Sequence, residues 1–468
     1  MSNQQKTASM AFSSVGLSKP LVDNLASLGY EQMTPIQAQS LPAIIAGNDV
    51  IAQAKTGSGK TAAFGLGLLN KLDVKRFRIQ TMVLCPTREL ADQVAKELRK
   101  LARGIHNIKI LTLCGGVPMG PQIGSLEHGA HIIVGTPGRI VDHLERGRLH
   151  LDDLTTLVLD EADRMLEMGF SAALDTILDY TPLQRQTLLF SATFPKQIEQ
   201  MAKDIMVTPV TVKVASTHDT HSIEQHFYQV ADNHARLAAL KLLLLKHRPE
   251  SAVVFCNMRR ETQEVADTLA AAGFSVLELN GDLEQRDRDQ TLIQFANKSA
   301  SILVATDVAA RGLDIDALDL VVNYQLAYDS EVHIHRIGRT GRAGAKGQAL
   351  SLYTESEAHK LVALEDTLGI TIDSEALPTP ADVSMTPPEP VMITIHVDAG
   401  KKQKIRPGDI LGALTGENGI AGSDVGKIQV TDYRSYVAVR RSVAKVAVNK
   451  ISKGKLKGRT CRAWLMNN

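Results

Sequence analysis

The sequence predicts an α/β protein with two tandem parallel-sheet domains followed by a small α+β domain. Three observations carry this prediction. From Val50 to about Val214, short β-branched or aliphatic runs alternate with amphipathic helical stretches, the pattern of a parallel sheet with helices on both faces. After a polar stretch near Thr217 to Ser222 the same pattern restarts. Beyond a proline-rich interval the chain turns basic and follows strand, helix, strand, strand, helix, strand order. At 468 residues it exceeds one typical core, so two to four domains are expected.

In the first domain, residues 1 to 215, strands are predicted at Asp49 to Ala52, Thr81 to Cys85, Ile108 to Leu113, His131 to Val134, Leu157 to Asp160 and Gln186 to Phe190. After the first of these comes Ala54-Lys55-Thr56-Gly57-Ser58-Gly59-Lys60-Thr61. A glycine-rich turn opening a helix offers backbone N–H groups from Thr56 to Thr61 to phosphate oxygens. Lys60 there neutralises β/γ charge, and the Thr61 hydroxyl ligates Mg²⁺. Ala54 stands where the full GxxxxGK[ST] pattern has its first glycine, which argues for a subclass of nucleotide site. The fifth strand ends in Asp160-Glu161-Ala162-Asp163. Asp160 is expected to hold the metal shell, and Glu161 to orient or deprotonate the attacking water.

The second domain, residues 216 to 372, has predicted strands at Ser251 to Cys256, Ser275 to Leu279, Ser301 to Ala305, Leu320 to Tyr324 and Gly347 to Leu352. Residues 373 to 390 hold Pro378, Pro380, Pro387, Pro388 and Pro390 with little apolar periodicity, and read as a semi-stiff linker. The last domain, residues 391 to 468, is predicted as strand (Val391 to Val397), helix (Pro407 to Leu414), strand (Gly426 to Val430), strand (Tyr436 to Arg440), helix (Val443 to Ile451), strand (Thr460 to Leu465). That βαββαβ order is the order of an RNA-recognition domain. The domain carries fifteen Lys or Arg against five Asp or Glu, a net of +10; with a whole-chain charge of +1, everything before it carries −9. Such asymmetry points to a polyanion partner, nucleic acid first.

Further stretches fall at strand ends. In the first domain they are Pro86-Thr87-Arg88-Glu89-Leu90, Gly115-Gly116, Thr136-Pro137-Gly138-Arg139 and Ser191-Ala192-Thr193. In the second they are Ala305-Thr306-Asp307, Arg311-Gly312-Leu313-Asp314, and His335-Arg336-Ile337-Gly338-Arg339-Thr340-Gly341-Arg342. With these, over roughly residues 12 to 355 and in the family's motif order, the chain resembles a DEAD-box RNA helicase. The resemblance implies that both large domains are RecA-like and that ATP, with Mg²⁺, is the nucleotide.

Upstream, Phe12, Gly29, Tyr30, Thr34, Pro35 and Gln37 look like that family's adenine-reading element. A glutamine amide presents a donor and an acceptor to the adenine edge. Phe12 either stacks on the base or staples this segment to the core. The resemblance further implies that Arg339 and Arg342 reach the γ-phosphate from the second domain and that Asp314 binds the ribose or its surroundings. His335 and Arg336 either couple the nucleotide site to Asp163, Ser191 and Thr193 or form a surface ion-pair network. Thr87, Arg88, Gly115, Gly116, Thr136, Gly138 and Arg139 look like the set gripping the RNA backbone, with Thr306 and the Arg259 region as second-domain candidates. Small glycines, hydroxyls and guanidinium suit phosphate contacts that read no base.

Along essentially its whole length the chain resembles the bacterial subgroup of this family that acts on 23S ribosomal RNA. That implies tethering of the helicase to a ribosomal RNA element in large-subunit assembly. The last domain departs from the usual RNA-recognition sequence: Asp432 to Arg440 lacks a Gly-Phe-Gly-Phe core, and only Tyr433, Tyr436 and Trp464 are aromatic. Its expected RNA contacts are therefore basic loops, Lys401, Lys402, Lys404 and Arg406 in one cluster and Lys450, Lys453, Lys455, Lys457 and Arg459 in another, or either cluster is a solvated face.

Composition excludes other classes. The sequence has no apolar run of membrane-spanning length, and Met1 to Met10 is polar without a signal-peptide core, so a cytoplasmic protein is expected. Cys85, Cys114, Cys256 and Cys461 lie far apart and suggest neither zinc site nor disulfide framework. Nothing in the pattern requires more than a monomer. Two other functions stay open at this point: an ATP-gated RNA clamp without productive unwinding, and a DNA translocase.

Overall fold

A computed structural model describes residues 11–54, 57–214, 223–310, 318–341 and 347–466. Thr56, Asp314 and Arg342 lie outside the described residues. The chain forms two compact units, one carrying the first sheet and the other carrying two more.

The first sheet comprises β1 (Val50–Gln53), β2 (Thr81–Leu84), β3 (Ile110–Leu113), β4 (Ile132–Gly135), β5 (Thr156–Asp160), β6 (Gln186–Ser191) and β7 (Val210–Lys213). Their order is β3-β4-β2-β5-β6-β1-β7, and every pairing is parallel. β2, β4, β5 and β6 are buried throughout, as strands covered on both faces must be, with separate apolar clusters above and below. The sequence pattern misses β7 because it is an edge strand in which only Val212 is buried. Five predicted strands, led by β2, coincide with observed ones to within one residue at each end.

The second sheet holds β8 (Ile223–Gln229), β9 (Ala252–Cys256), β10 (Val276–Leu279), β11 (Ile302–Thr306), β12 (Leu320–Asn323) and β13 (Gly347–Tyr353) in the order β10-β11-β9-β12-β13-β8, again all parallel. β8, a half-exposed edge strand, was absent from the sequence pattern. The proline-rich interval is not a free linker over its first half. Glu375 N–H bonds the Phe227 carbonyl, its carboxylate receives Tyr228 and faces His226, and Leu377 and Val383 pack on the second-domain core.

The third sheet is antiparallel, β14 (Met392–Val397), β15 (Val425–Val430), β16 (Ser435–Arg440) and β17 (Ala463–Leu465), ordered β15-β16-β14-β17. Alternation along β14 and β16 sends Ile393, Ile395, Val397, Val437 and Val439 into a core shared with the helices Pro407–Thr415 and Ala444–Lys453. Thr394, His396, Tyr436 and Ala438 occupy the opposite face, yet they are buried as well. The reason is contact with the second sheet's domain: Asn297 Nδ2 donates to Thr394 Oγ1 at 3.1 Å, and the Ser299 hydroxyl shares a hydrogen bond with the same oxygen. His396 stacks on Tyr436 at 5.0 Å and meets Trp464 edge-on at 4.1 Å. Burial, aided by Arg434 and Arg286, depresses the His396 pKa to about 4. The small domain is thus docked on its neighbour, beyond an interval read from the sequence as a semi-stiff linker.

All four cysteines are buried free thiols. Among the described residues, no helix is long and apolar enough to cross a membrane.

Candidate nucleotide site and RNA-gripping edges

The carboxyl ends of β1, β5 and β6 converge on one site. After β1, Gly57 and Gly59 adopt left-handed φ values of +82° and +94°, which turn the chain into the helix Lys60–Lys71. Lys60 is buried and donates from Nζ to the Ala54 carbonyl at 2.9 Å. Gln37, 2% exposed, accepts from Thr34 N–H at 2.9 Å and donates to the Gly59 carbonyl at 3.2 Å. The upstream element is therefore fastened to the glycine turn by the residue expected to read adenine. Of the two readings left open for Phe12, the structure shows the packed one: its ring is buried in the core, edge-on to Tyr30 at 6.4 Å.

At the end of β5, Asp160 is 3% exposed and its Oδ1 has no hydrogen-bond partner; the Ser58 hydroxyl is likewise buried and unpartnered. Burial pushes the Asp160 pKa up to about 7 against the pull of Lys60, with Glu161 adding to the rise. A buried carboxylate oxygen without a donor, near enough to Lys60 of the phosphate-type turn to feel its charge, fits a hard divalent cation. Among the described residues no group of three or more His, Cys, Asp or Glu gathers to hold a metal alone, so such a cation would take its remaining ligands from phosphate and water.

Asp160 also sets a pH test. Its folded-state pKa lies above the ordinary 3.8, so its contribution favours the fold below about pH 4 and is lost as pH rises through about 7. The cost of carrying this charge is on the order of 4 kcal/mol. Asp160→Asn is expected to raise the melting temperature of the ligand-free, chelator-treated protein at pH 8 by roughly 5–10 °C, with the gain shrinking towards pH 5. Thermal denaturation across that range measures it, and a pH-independent shift would contradict it.

Glu161 follows in a left-handed conformation, φ 52° and ψ 52°, at the entrance to the helix Ala162–Glu167. A non-glycine residue is held there only when its surroundings over-determine it, a mark of functional turns. Asp163 is joined to the end of β6: its Oδ2 accepts from Thr193 N–H and Oγ1, both at 2.9 Å, and Ser191 Oγ donates to the Thr193 carbonyl at 2.7 Å. Burial pushes the Asp163 carboxyl up, but the Thr193 hydrogen bonds and Arg164 outweigh it and leave its pKa below the usual range. Asp163, Ser191 and Thr193, grouped by the sequence as a coupling set, do form one network.

On the same strand edge, Thr87 caps the helix Arg88–Leu101 by accepting from Leu90 N–H, and Thr136 precedes the helix Pro137–Glu145. Two helix N-termini so placed present N–H groups to a phosphate chain. Gly138 is exposed; Gly116 adopts φ 74°, and a Cβ at Gly115 or Gly138 would meet open space, so backbone there is approachable. Arg139 departs from the expectation of a phosphate grip. Both its terminal nitrogens donate to the Val117 carbonyl at 3.0 Å, one also reaching Gln122, which shapes the Gly115-Gly116 turn from within.

In the second domain Thr306 ends β11, buried, with its hydroxyl accepting from Ala309 N–H at 3.4 Å. Arg336, named with the coupling set, is buried in its own domain. All five guanidinium hydrogens are taken inside its own domain, by Asp307 at 2.7 Å twice, Asn323, the Gln325 carbonyl and Asn257. It organises the strand ends of that domain. Asp307, Asn257 and Gln325 were missed as site builders, although Asp307 closed a quoted strand-end motif. His335 lies in the last turn of the helix Ser330–Ile337, with half-buried Arg339 just beyond.

The two basic clusters of the third domain come together, since Lys457 Nζ donates to the Lys404 carbonyl at 2.8 Å and pairs with Asp409 at 3.1 Å. Lys401, Lys402, Lys404, Arg406, Lys453, Lys455, Lys457 and Arg459 are all exposed. Lys450 instead donates to the Glu417 carbonyl. Trp464 and Tyr433 are 44% and 64% exposed, whereas Tyr436 is core.

Comparison with known proteins converges on the same parts. The DEAD/DEAH box helicase profile matches residues 34–201, the helicase conserved C-terminal domain residues 235–344, and the DbpA RNA binding domain residues 394–465. The chain is 54% identical over 457 residues to the ATP-dependent RNA helicase DbpA of Escherichia coli, covering 97% of this chain and 99% of the relative. It is 35% identical to the protein of that name in Bacillus subtilis, covering 95% and 98%. Among solved structures, S. cerevisiae Dbp5 bound to RNA and ADP BeF3 superposes with a TM-score of 0.71 at 30% identity, over 78% of this chain and 95% of that one.

Proposed function

Because the chain belongs to the DEAD-box ATP-dependent RNA helicases of the DbpA type, we propose that its third domain directs it to 23S ribosomal RNA, where the helicase domains open short duplexes during large-subunit assembly. It is an RNA helicase that consumes ATP and carries an RNA-binding domain. The domain limits proposed are residues 1–215, 216–372, a proline-rich connection at 373–390, and 391–468. The protein acts as a cytoplasmic monomer in this reading.

The observation that carries the site assignment is the meeting of the Gly59-Lys60 helix entry with a buried Asp160 whose Oδ1 has no hydrogen-bond partner. The turn from Thr56 to Thr61 holds the phosphates through N–H groups, and Lys60 leaves the Ala54 carbonyl to bind β/γ oxygens. Asp160 and Thr61 would hold Mg²⁺, which supplies charge neutralisation at the transferring phosphoryl group. Glu161 accepts the proton of the attacking water or orients it. Gln37 reads adenine and Asp314 the ribose. Arg339 and Arg342 stabilise the charge that develops on the γ-phosphate, a contribution of about a thousandfold or more. Asp163, Ser191 and Thr193 transmit the state of the nucleotide to the strand ends; His335 acts with them.

RNA is held along its backbone by Thr87, Arg88, Gly115, Gly116, Thr136, Gly138 and Thr306, with Arg139 shaping the turn behind them. Target choice rests on the merged basic patch of the third domain. Its loops remain exposed while Thr394, His396, Tyr436 and Ala438 on the sheet face are buried, which supports loop-mediated recognition over base stacking on the sheet.

The test compares ATPase rates with 23S ribosomal RNA, unrelated RNA and no RNA. It uses the intact chain, a variant with Lys401, Lys402, Lys404, Lys453 and Lys455 changed to Gln, and a chain ending after residue 385, which keeps Leu377 and Val383 on the second-domain core. Stimulation selective for 23S RNA in the intact chain and lost in both variants is expected. Affinity should show a salt slope shallower by roughly 0.9 for each phosphate contact removed. Equal stimulation by every RNA in all three proteins would refute targeting.

A further inference from the structure

The second sheet has a topological switch point that the nucleotide and backbone-gripping roles leave unused. β9 and β12 are neighbours, but β9 continues through the helix Arg259–Ala271 to β10 on one flank, while β12 continues through the helix Ser330–Ile337 to β13 on the other. Connections that leave in opposite directions open a crevice outside the carboxyl ends of the two strands, where sheets of this class bind ligands. A crater of about 290 Å³ lies there, lined by Asn257 and Met258 after β9 and by Gln325 and Tyr328 after β12. Its volume falls just under the roughly 300–1,000 Å³ of small-molecule sites, room for a single nucleoside.

The lining selects the chemistry. Arg236 and Lys360 face Glu261 and Glu357, so the crater carries no net charge and does not concentrate phosphate. Its floor is polar and rigid, each amide fixed by bonds within the domain: Asn257 accepts from Arg336 at 2.8 Å and donates to the Leu326 carbonyl at 3.0 Å, and Gln325 accepts from Asn257 N–H and donates to Glu261. Arg236 is 2% exposed, with a buried Nε that has no hydrogen-bond partner. At the rim, Tyr328 and Met258 are 69% and 57% exposed, an aromatic ring and a thioether presented to solvent. A neutral, planar, hydrogen-bonding ligand matches all three features. RNA bases bind proteins in this way, stacking on an aromatic while their edges meet amides and guanidinium. Thr306 pairs across from Cys256, the residue before Asn257, and Arg259 follows Met258, so a strand gripped at Thr306 and Arg259 passes the mouth.

We propose that this crater receives one unpaired RNA base, stacked on Tyr328 and packed against Met258, giving the second domain a base-dependent contact beside its backbone grip. The proposal rests on the reading of the chain as an RNA-dependent ATPase.

The experiment uses the full chain with a non-hydrolysable ATP analogue and a short single-stranded RNA without stem-loops, scanned with one abasic nucleotide at a time. One position is expected at which base removal weakens binding by about tenfold. Tyr328→Ala should weaken binding of the intact RNA to the same level and abolish the further penalty at that position, while Tyr328→Phe, which keeps the ring, should restore it. Tyr328 is exposed, so the variants are expected to melt with the parent. RNA-stimulated ATPase is read in the same preparations. If stimulation is present but no abasic position is sensitive, or the sensitive position is unaffected by Tyr328→Ala, the crater does not hold a base and a protein segment is the better occupant. If the parent chain shows no stimulation by any RNA, the broader reading fails and this proposal with it.

Discussion

Glu161→Gln is expected to bind ATP and RNA like the parent chain, to within about threefold, and to hydrolyse ATP more slowly by a factor of about 10²–10⁴, the range lost with a positioned acid–base group. The reason is local. Glu161 sits at φ 52° and ψ 52°, one residue beyond the buried Asp160, in a turn that glutamine adopts as readily as glutamate. The amide keeps the shape and the hydrogen-bonding reach but cannot accept the proton of the attacking water. With hydrolysis blocked and binding intact, the complex with ATP and RNA should persist, so RNA dissociation in the presence of ATP should slow sharply. Steady-state ATPase at saturating RNA and RNA release kinetics measure both. Hydrolysis within tenfold of the parent would place the proton acceptor elsewhere.

Gly59→Ala should cost stability and nucleotide binding together, whereas Gly57→Ala should cost less of either. Both glycines are left-handed, at φ +94° and +82°, so each alanine carries backbone strain of about 1–2 kcal/mol. They differ in surroundings. A Cβ at Gly59 would lie 2.6 Å from Gln37 Nε2 and 3.0 Å from Thr34 Oγ1, whereas at Gly57 it meets nothing within 4 Å. The methyl must therefore expel the Gln37 amide from its bond to the Gly59 carbonyl, detaching the expected adenine reader from the phosphate turn. ATP affinity is expected to fall by at least about a hundredfold for Gly59→Ala and about tenfold for Gly57→Ala, by strain at the phosphate-binding turn alone. In a double-mutant cycle, Gln37→Ala should recover the stability lost to the clash but not the ATP affinity. Equal effects of the two alanines would show that packing against Gln37 is irrelevant to the site.

The parts legible in the sequence were those whose signal is local. Buried parallel strands such as Leu157 to Asp160 announce themselves as apolar runs ending in chemistry, because the carboxyl edge of such a sheet gathers ligand-binding loops. β7 and β8 gave no such run, since edge strands are half solvated and their alternation is short. Residue type also misled where a side chain had two uses. Arg139 looked like a phosphate-gripping cation and Arg336 like a coupling residue or part of a surface ion-pair network, but each guanidinium is surrounded by carbonyl and carboxylate acceptors of its own domain. Phe12 was open to stacking on a base or stapling its segment, and the structure shows its ring in the core.

The sequence by itself determined the fold class, the nucleotide turn, the acidic strand end and the basic third domain, because each follows from periodicity or from residue types at fixed short spacing. Tertiary structure alone decided the rest: the fastening of Gln37 to Gly59, the merging of two distant lysine clusters, and the covering of the third sheet through Thr394, Asn297 and Ser299. A proline-rich interval says that no helix forms there, not whether the chain lies against a neighbour. Such contacts join residues 22 to 97 positions apart, and whether a polar group spends its hydrogen bonds inside the protein or offers them to a ligand depends on packing that no local pattern encodes.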